Sequence, residues 1–137
     1  MRMTNDQCVA LLQLHNSITA KRGDEPTSLT PGDELGAGGV LEAFRELQAE
    51  GLVEHLGLTG IGQPGAMREA VGSGAFDTMQ VPFNALNPSA GYPMPAGFGE
   101  TDYGNIIADC GMQGRASSPS GSSPGAPSWA RRPAPTP

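Results

Sequence analysis

Three short apolar runs, each ending in small or polar residues, constrain this chain more than any other feature. Cys8 to Leu14 places Val9, Leu11, Leu12 and Leu14 close together, Val53 to Leu58 repeats the pattern, and Asp77 to Val81 closes on Pro82. Runs of this length with apolar residues on both alternating faces suit strands buried on both sides, as in a parallel sheet. Helical patterns separate them. From Gly39 to Glu50, Val40, Leu41, Phe44 and Leu47 share one stripe, while Glu42, Arg45, Glu46 and Glu50 lie opposite. Gly51 follows, where a left-handed residue stops the helix. Pro64 suits the first turn of a second helix running to about Val71, with Met67, Ala70 and Val71 inward. A third helix is expected from Asp102 to Gln113, carrying Ile106, Ile107 and Cys110. Strand and helix therefore alternate, which predicts a parallel sheet in either a barrel or a doubly wound arrangement.

The connecting segments are uneven. Asn16 to Gly38 holds Gly23, Pro26, Pro31, Gly32 and Gly36 and reads as a long loop with little to nucleate a helix. Asn84 to Thr101 is a second Pro/Gly-rich loop, with Asn84 and Asn87 as turn residues. From Arg115 to Pro137 the chain is Ser, Pro, Gly, Ala and Arg, with Trp129 as its one aromatic residue and Thr136 besides. Such a composition buries too little apolar surface to offset the entropy of ordering, so residues 115–137 are expected to be a disordered tail. The 137 residues suffice for one ordinary core. A net charge of −6 with no basic stripe argues against nucleic acid as a partner. Cys8 and Cys110 lack metal-ligand spacing and fit buried thiols in a reducing cytosol, so a cytoplasmic location without metal is expected. No apolar run reaches membrane-spanning length and the start lacks a signal-peptide core, so no membrane partner is expected.

Candidate chemistry collects at strand ends. His15 directly follows the first run. A neutral imidazole there can donate a hydrogen bond to a substrate carbonyl, but position alone favours a solvated side chain at the start of a loop. Gly60-Ile61-Gly62-Gln63-Pro64-Gly65 spells a G-x-G-x-x-G pattern, but the next strand ends in Gln80-Val81-Pro82-Phe83-Asn84 without the acidic residue a dinucleotide fold places there. A glycine-rich turn remains, with a helix start that favours a ligand dipole. Gln80 is an amide in an apolar strand, bonded either to neighbouring backbone or to a ligand amide. His55 lies early in its strand and is given no role. Tyr103 is expected to pack at a helix start. In a β/α barrel, His15, Thr59-Gly60 and Gln80 would share the face that carries active sites.

Gly39-Gly-Val-Leu-Glu-Ala-Phe, Glu50-Gly-Leu-Val-Glu-His-Leu-Gly-Leu-Thr-Gly and Asp77-Thr-Met-Gln-Val-Pro-Phe-Asn together resemble the middle of an aldo/keto reductase. Asn87-Pro-Ser-Ala-Gly and Asp102-Tyr-Gly-Asn-Ile-Ile-Ala-Asp-Cys resemble a bacterial branch of that family, and the resemblance spans roughly 8–114. It implies a (β/α)8 barrel that transfers hydride between NADPH or NADH and a small carbonyl or alcohol. By the same resemblance His15 matches the catalytic histidine, and Gln80 matches the glutamine that holds the nicotinamide carboxamide. Thr59 and Gly60 fall where the family has Ser-Asn on that same carboxamide, so Gly60 departs from the pattern by lacking an amide.

The family's tyrosine, lysine and aspartate precede the histidine strand. Here the tyrosines are Tyr92 and Tyr103, both after the third strand, and Lys21 is the one lysine. The expected fold is thus α/β: a partial (β/α)8 TIM-type barrel of about three β/α units over residues 1–114, followed by the tail. The family pattern stops near Gly114, as a reading-frame change in a GC-rich gene would produce. The expected function is that of an NAD(P)H-dependent aldo/keto reductase, inactive as this chain alone. The alternative is a non-catalytic half-barrel acting as a binding or assembly module through its exposed sheet edges. A lyase or isomerase barrel would want a carboxylate or lysine at a strand end, and none is found.

Overall fold

The apolar runs become adjacent parallel strands. A computed structural model describes residues 8–114 and the backbone of 116–120. In chain order the elements are β1 (Val9–Leu14), α1 (Pro31–Leu35), α2 (Val40–Ala49), β2 (Val53–Thr59), α3 (Pro64–Gly72), β3 (Thr78–Pro82), α4 (Ile106–Met112) and β4 (Ala116–Ser120). The strands form one sheet in the order β1-β2-β3-β4, and every pair is parallel. Gln13 lies level with Gly57, Gly57 with Thr78, and Thr59 with Gln80.

That register sorts the side chains by face, because successive residues of a strand point to opposite sides. Leu12, Leu14, Leu56, Leu58, Met79 and Val81 point to one side. There they join Met67, Ala70 and Val71 of α3 and Ile106 and Cys110 of α4 in the core, with Phe44 and Leu47 of α2 packed against it. The opposite face carries Leu11, Gln13, Gly57, Thr59, Thr78 and Gln80. A side chain at Gly57 would meet Thr78 Oγ1 at 2.7 Å and Leu11 Cδ1 at 3.1 Å, so glycine leaves the space over β2 to the side chains of its neighbours.

The α/β class and the parallel sheet agree with the sequence expectation, and α2 and α3 fall within a residue of their expected bounds. Gly51 follows α2 with φ +75, as its stop position requires. Asn84 Oδ1 accepts from the N–H groups of Leu86 and Asn87, which makes it the turn residue anticipated. Both cysteines are free: Cys110 is buried and Cys8 half-buried. Among the described residues no helix is long and apolar enough to cross a membrane.

Three features depart from the sequence expectation. The helix expected from Asp102 starts only at Ile106, because Gly104 and Asn105 both take positive φ and Asp102 accepts from Gly104 N–H in a turn. The Asn16–Gly38 segment is not a bare loop. Ile18 bridges both Leu29 and Gly62, and α1 sits inside the segment. Thr30 caps α1 by accepting from Asp33 N–H, Asp33 returns a bond to the Thr30 N–H, and Pro31 occupies the first turn. Finally, Ala116–Ser120 pairs with β3 as a fourth strand within the stretch whose composition reads as tail. Ladder bonds are made by backbone, so a poor composition does not forbid them, and Pro119 is tolerated because β4 is an edge among the described residues. Residues 121–137 lie outside the described residues.

Candidate functional site

Parallel pairing brings three carboxyl ends side by side, and a small polar cluster forms there. Gln13 Nε2 donates to Thr59 Oγ1 at 3.2 Å and to Gln80 Oε1 at 3.1 Å. Thr59 is buried, while Gln13 and Gln80 are half-buried. The strand register explains the reach. Gln13 is level with Gly57, one pleat short of Thr59 and Gln80, so its long side chain extends diagonally to both.

Thr59 and Gln80 are thus brought together as the sequence suggests, but the residue joining them is Gln13, which sequence reasoning passed over. Its signal was present: an amide amid Leu11, Leu12 and Leu14 poses the same question of satisfaction as Gln80. With Gln80 Oε1 accepting from Gln13, Gln80 Nε2 and Gln13 Oε1 remain without a partner among the described residues. One amide donor and one acceptor side by side complement a carboxamide, which has one of each.

Gly60 contributes backbone only. Its N–H donates to Gln80 O at 2.6 Å. A Cβ there would stand 2.7 Å from Met79 Cε and 3.1 Å from Gln80 O. An asparagine, which the reductase pattern has at this position, would require the Met79 side-chain tip to move and its neighbours on β3 to give slightly. Gly62, two residues on, holds φ +120 with its α-carbon against the Ile18 backbone. The glycine-rich turn is therefore explained by close approach of two chain segments. The helix start beyond it is also engaged: Gln63, which precedes α3, accepts from Ala20 N–H and donates to Asp24.

His15 follows β1 directly and is exposed, without a hydrogen bond among the described residues. Extending the β1–β2 register by one residue sets it level with Thr59 and hence with Gln80. His55 is on a different row, level with Leu11, and lies 3.7 Å from Asp77.

Other groups suited to proton transfer stand apart. Tyr92 is exposed and tilted against Phe83. Tyr103 is half-buried, and burial, followed by the Glu25 charge, pushes its hydroxyl above the ordinary tyrosine range. A tyrosine that donates a proton at neutral pH needs the opposite shift. Lys21 is exposed in the Asn16–Gly38 segment. Among the described residues, no three His, Cys, Asp or Glu side chains gather as a metal ion would require. In comparisons with known proteins, the chain matches no family model, no curated protein and no solved structure.

Proposed function

We propose that this chain is built on the plan of the NAD(P)H-dependent aldo/keto reductases, as part of a β/α barrel wall, and that these 137 residues alone do not turn over substrate. One observation carries this reading: Gln13, Thr59 and Gln80 cluster at the carboxyl ends of three adjacent parallel strands, in line with His15. Barrel enzymes place their chemistry at those ends. A nicotinamide cofactor, NADPH or NADH, would supply the hydride. Gln80 Nε2 and Gln13 Oε1 would hold its carboxamide, and Thr59 Oγ1 would keep Gln13 in place. His15 would donate a hydrogen bond to the oxygen of a small carbonyl substrate and orient it. Among the described residues no tyrosine stands on that row: Tyr92 and Tyr103 both follow β3 in the chain, outside the three strands that carry it.

The test uses the purified chain with NADPH and a simple aldehyde. No NADPH oxidation above a His15→Ala control is expected; clear turnover would overturn the inactive assignment. The carboxamide reading is checked separately by NMR. Millimolar NADPH should move the side-chain amide signals of Gln13 and Gln80, and Gln80→Leu should abolish the effect. Unmoved amides would reject it.

A second reading, an assembly module, rests on β1. Among the described residues this strand is a sheet edge, and Val9 and Leu11 on it are 53% and 39% exposed. An apolar edge with open backbone groups invites pairing with another chain. Introducing charge by Leu11→Lys should then lower light scattering and shift gel filtration toward monomer. A wild-type chain that is already monomeric would remove this reading.

A further inference from the structure

Glu34 is fully buried, and neither carboxyl oxygen has a hydrogen-bond partner among the described residues. It sits on α1, which packs against α2 and α3. A carboxylate enclosed in this way without partners is among the costliest arrangements a fold can hold, whereas a neutral carboxylic acid is tolerated.

The charged groups nearby do not relieve it. On α1 itself, Asp33 is committed to Arg22 and to the Thr30 cap, and the Arg22 bond foremost holds its carboxyl down at about 2. On α2, Glu42 accepts from Gly38 N–H, and Glu42, Arg45 and Glu46 are all exposed. On α3, Arg68 is exposed and bonded to Asp109 and to Gly104 O, and Glu69 is exposed. In the preceding segment Lys21, Arg22 and Asp24 are exposed, and Glu25 accepts from Ser17.

We infer that Glu34 is a proton-controlled latch: in its neutral form it lets α1 dock on α2 and α3, and its ionisation releases the segment from Ser17 to Gly39. The segment has the anatomy for this. Its start is held to the rest of the fold through Ile18, whose N–H donates to Ile61 O and whose carbonyl accepts from Gln63 N–H, and within it Thr19 N–H donates to Leu29 O and Leu29 N–H to Ser17 O. At its end Gly38 takes φ +71, a conformation that glycine adopts without strain and that turns the chain into α2. Burial alone raises the Glu34 carboxyl from 4.5 to about 7, so release falls in the physiological range. The sign follows from linkage. The docked state binds the proton more tightly than the open state, so docking is complete at low pH and lost as pH rises toward 7. The latch stands independently of the reductase reading, since it uses none of His15, Gln13, Thr59 or Gln80.

Hydrogen exchange of the full chain tests it. Intrinsic-rate-corrected protection should be followed from pH 5 to pH 8 at Thr19, Leu29, Glu34 and Gly36, whose N–H groups are bonded within the segment. The expected wild-type result is a fall of one to two orders of magnitude between pH 5 and pH 7, levelling above, with the β2 and β3 amides unchanged. Glu34→Gln should give a flat profile. Glu34→Leu serves where the glutamine variant folds poorly, and should be flat and better protected at pH 8. A flat wild-type profile overturns the latch. So does a slope that persists in either variant, or one shared equally by the sheet.

Discussion

Gly62→Ala is expected to destabilise the protein by about 3 kcal/mol. Two effects combine. At φ +120 an L-residue is strained wherever it sits. Here the new Cβ would also lie within 2.5 Å of Ile18 N and closer still to Ile18 O, and backbone does not move aside as a flexible side-chain tip can. Relief would have to come from parting the two segments. That breaks the bonds from Ile18 N–H to Ile61 O at 2.9 Å and from Gln63 N–H to Ile18 O at 2.8 Å. Ile18, which has no exposed surface, would be uncovered as well. Urea unfolding would show a lowered midpoint, and exchange at Ile18 and Gln63 would rise first. Gly65→Ala is the control. Its Cβ would meet nothing within 4 Å and it lies inside α3, so alanine there should be neutral or gain up to about 1 kcal/mol. Equal losses at both positions would reject the close-approach explanation.

Leu58→Ala should cost about 2 to 5 kcal/mol. Leu58 is 1% exposed on β2, an inner strand of the sheet, and belongs to the same core cluster as Met79, Val71 and Cys110. Those neighbours already surround a small void of about 10 Å³, so the site has little slack to absorb a further loss of volume. Domains of this size hold about 5 to 15 kcal/mol in total, so the variant should lose a large share of its stability and unfold at markedly lower urea. Leu11, 39% exposed on the other face of β1, offers the contrast: Leu11→Ala should cost under about 1 kcal/mol. Similar losses at both leucines would mean that the two faces of the sheet are not distinguished as described.

The candidate site was legible where chemistry is written into residue type and strand position. Thr59 and Gln80 were found because a polar residue at the end of an apolar strand asks for a reason, and their row is level with His15 by register. Gln13 was missed because it lies inside the run, where its neighbours suggest packing. Only the register shows that it is one pleat below Thr59 and within reach of both partners. Gly60 reads in the sequence as a lost amide. In the structure its surroundings are close: a Cβ there would stand 2.7 Å from the movable Met79 Cε and 3.1 Å from Gln80 O and Val81 Cγ1.

By itself, the sequence determined the elements whose causes are local. Apolar runs set β1, β2 and β3, a four-residue stripe set α2, Pro64 set the start of α3 and Gly51 the end of α2. Even α1 had a local cause, the Thr30-Pro31-Gly32-Asp33 cap, hidden among glycines and prolines that read as loop. Tertiary structure alone decided the rest. β4 forms from Ala-Ser-Ser-Pro-Ser because β3 presents an open edge whose bonds are indifferent to side chains. Gly62 is required because Ile18, 44 positions away, crosses it. Glu34, placed like any surface residue of a short helix, is buried because α2 and α3 close over α1. Each of these depends on which distant segment arrives, and periodicity and backbone preference are blind to that.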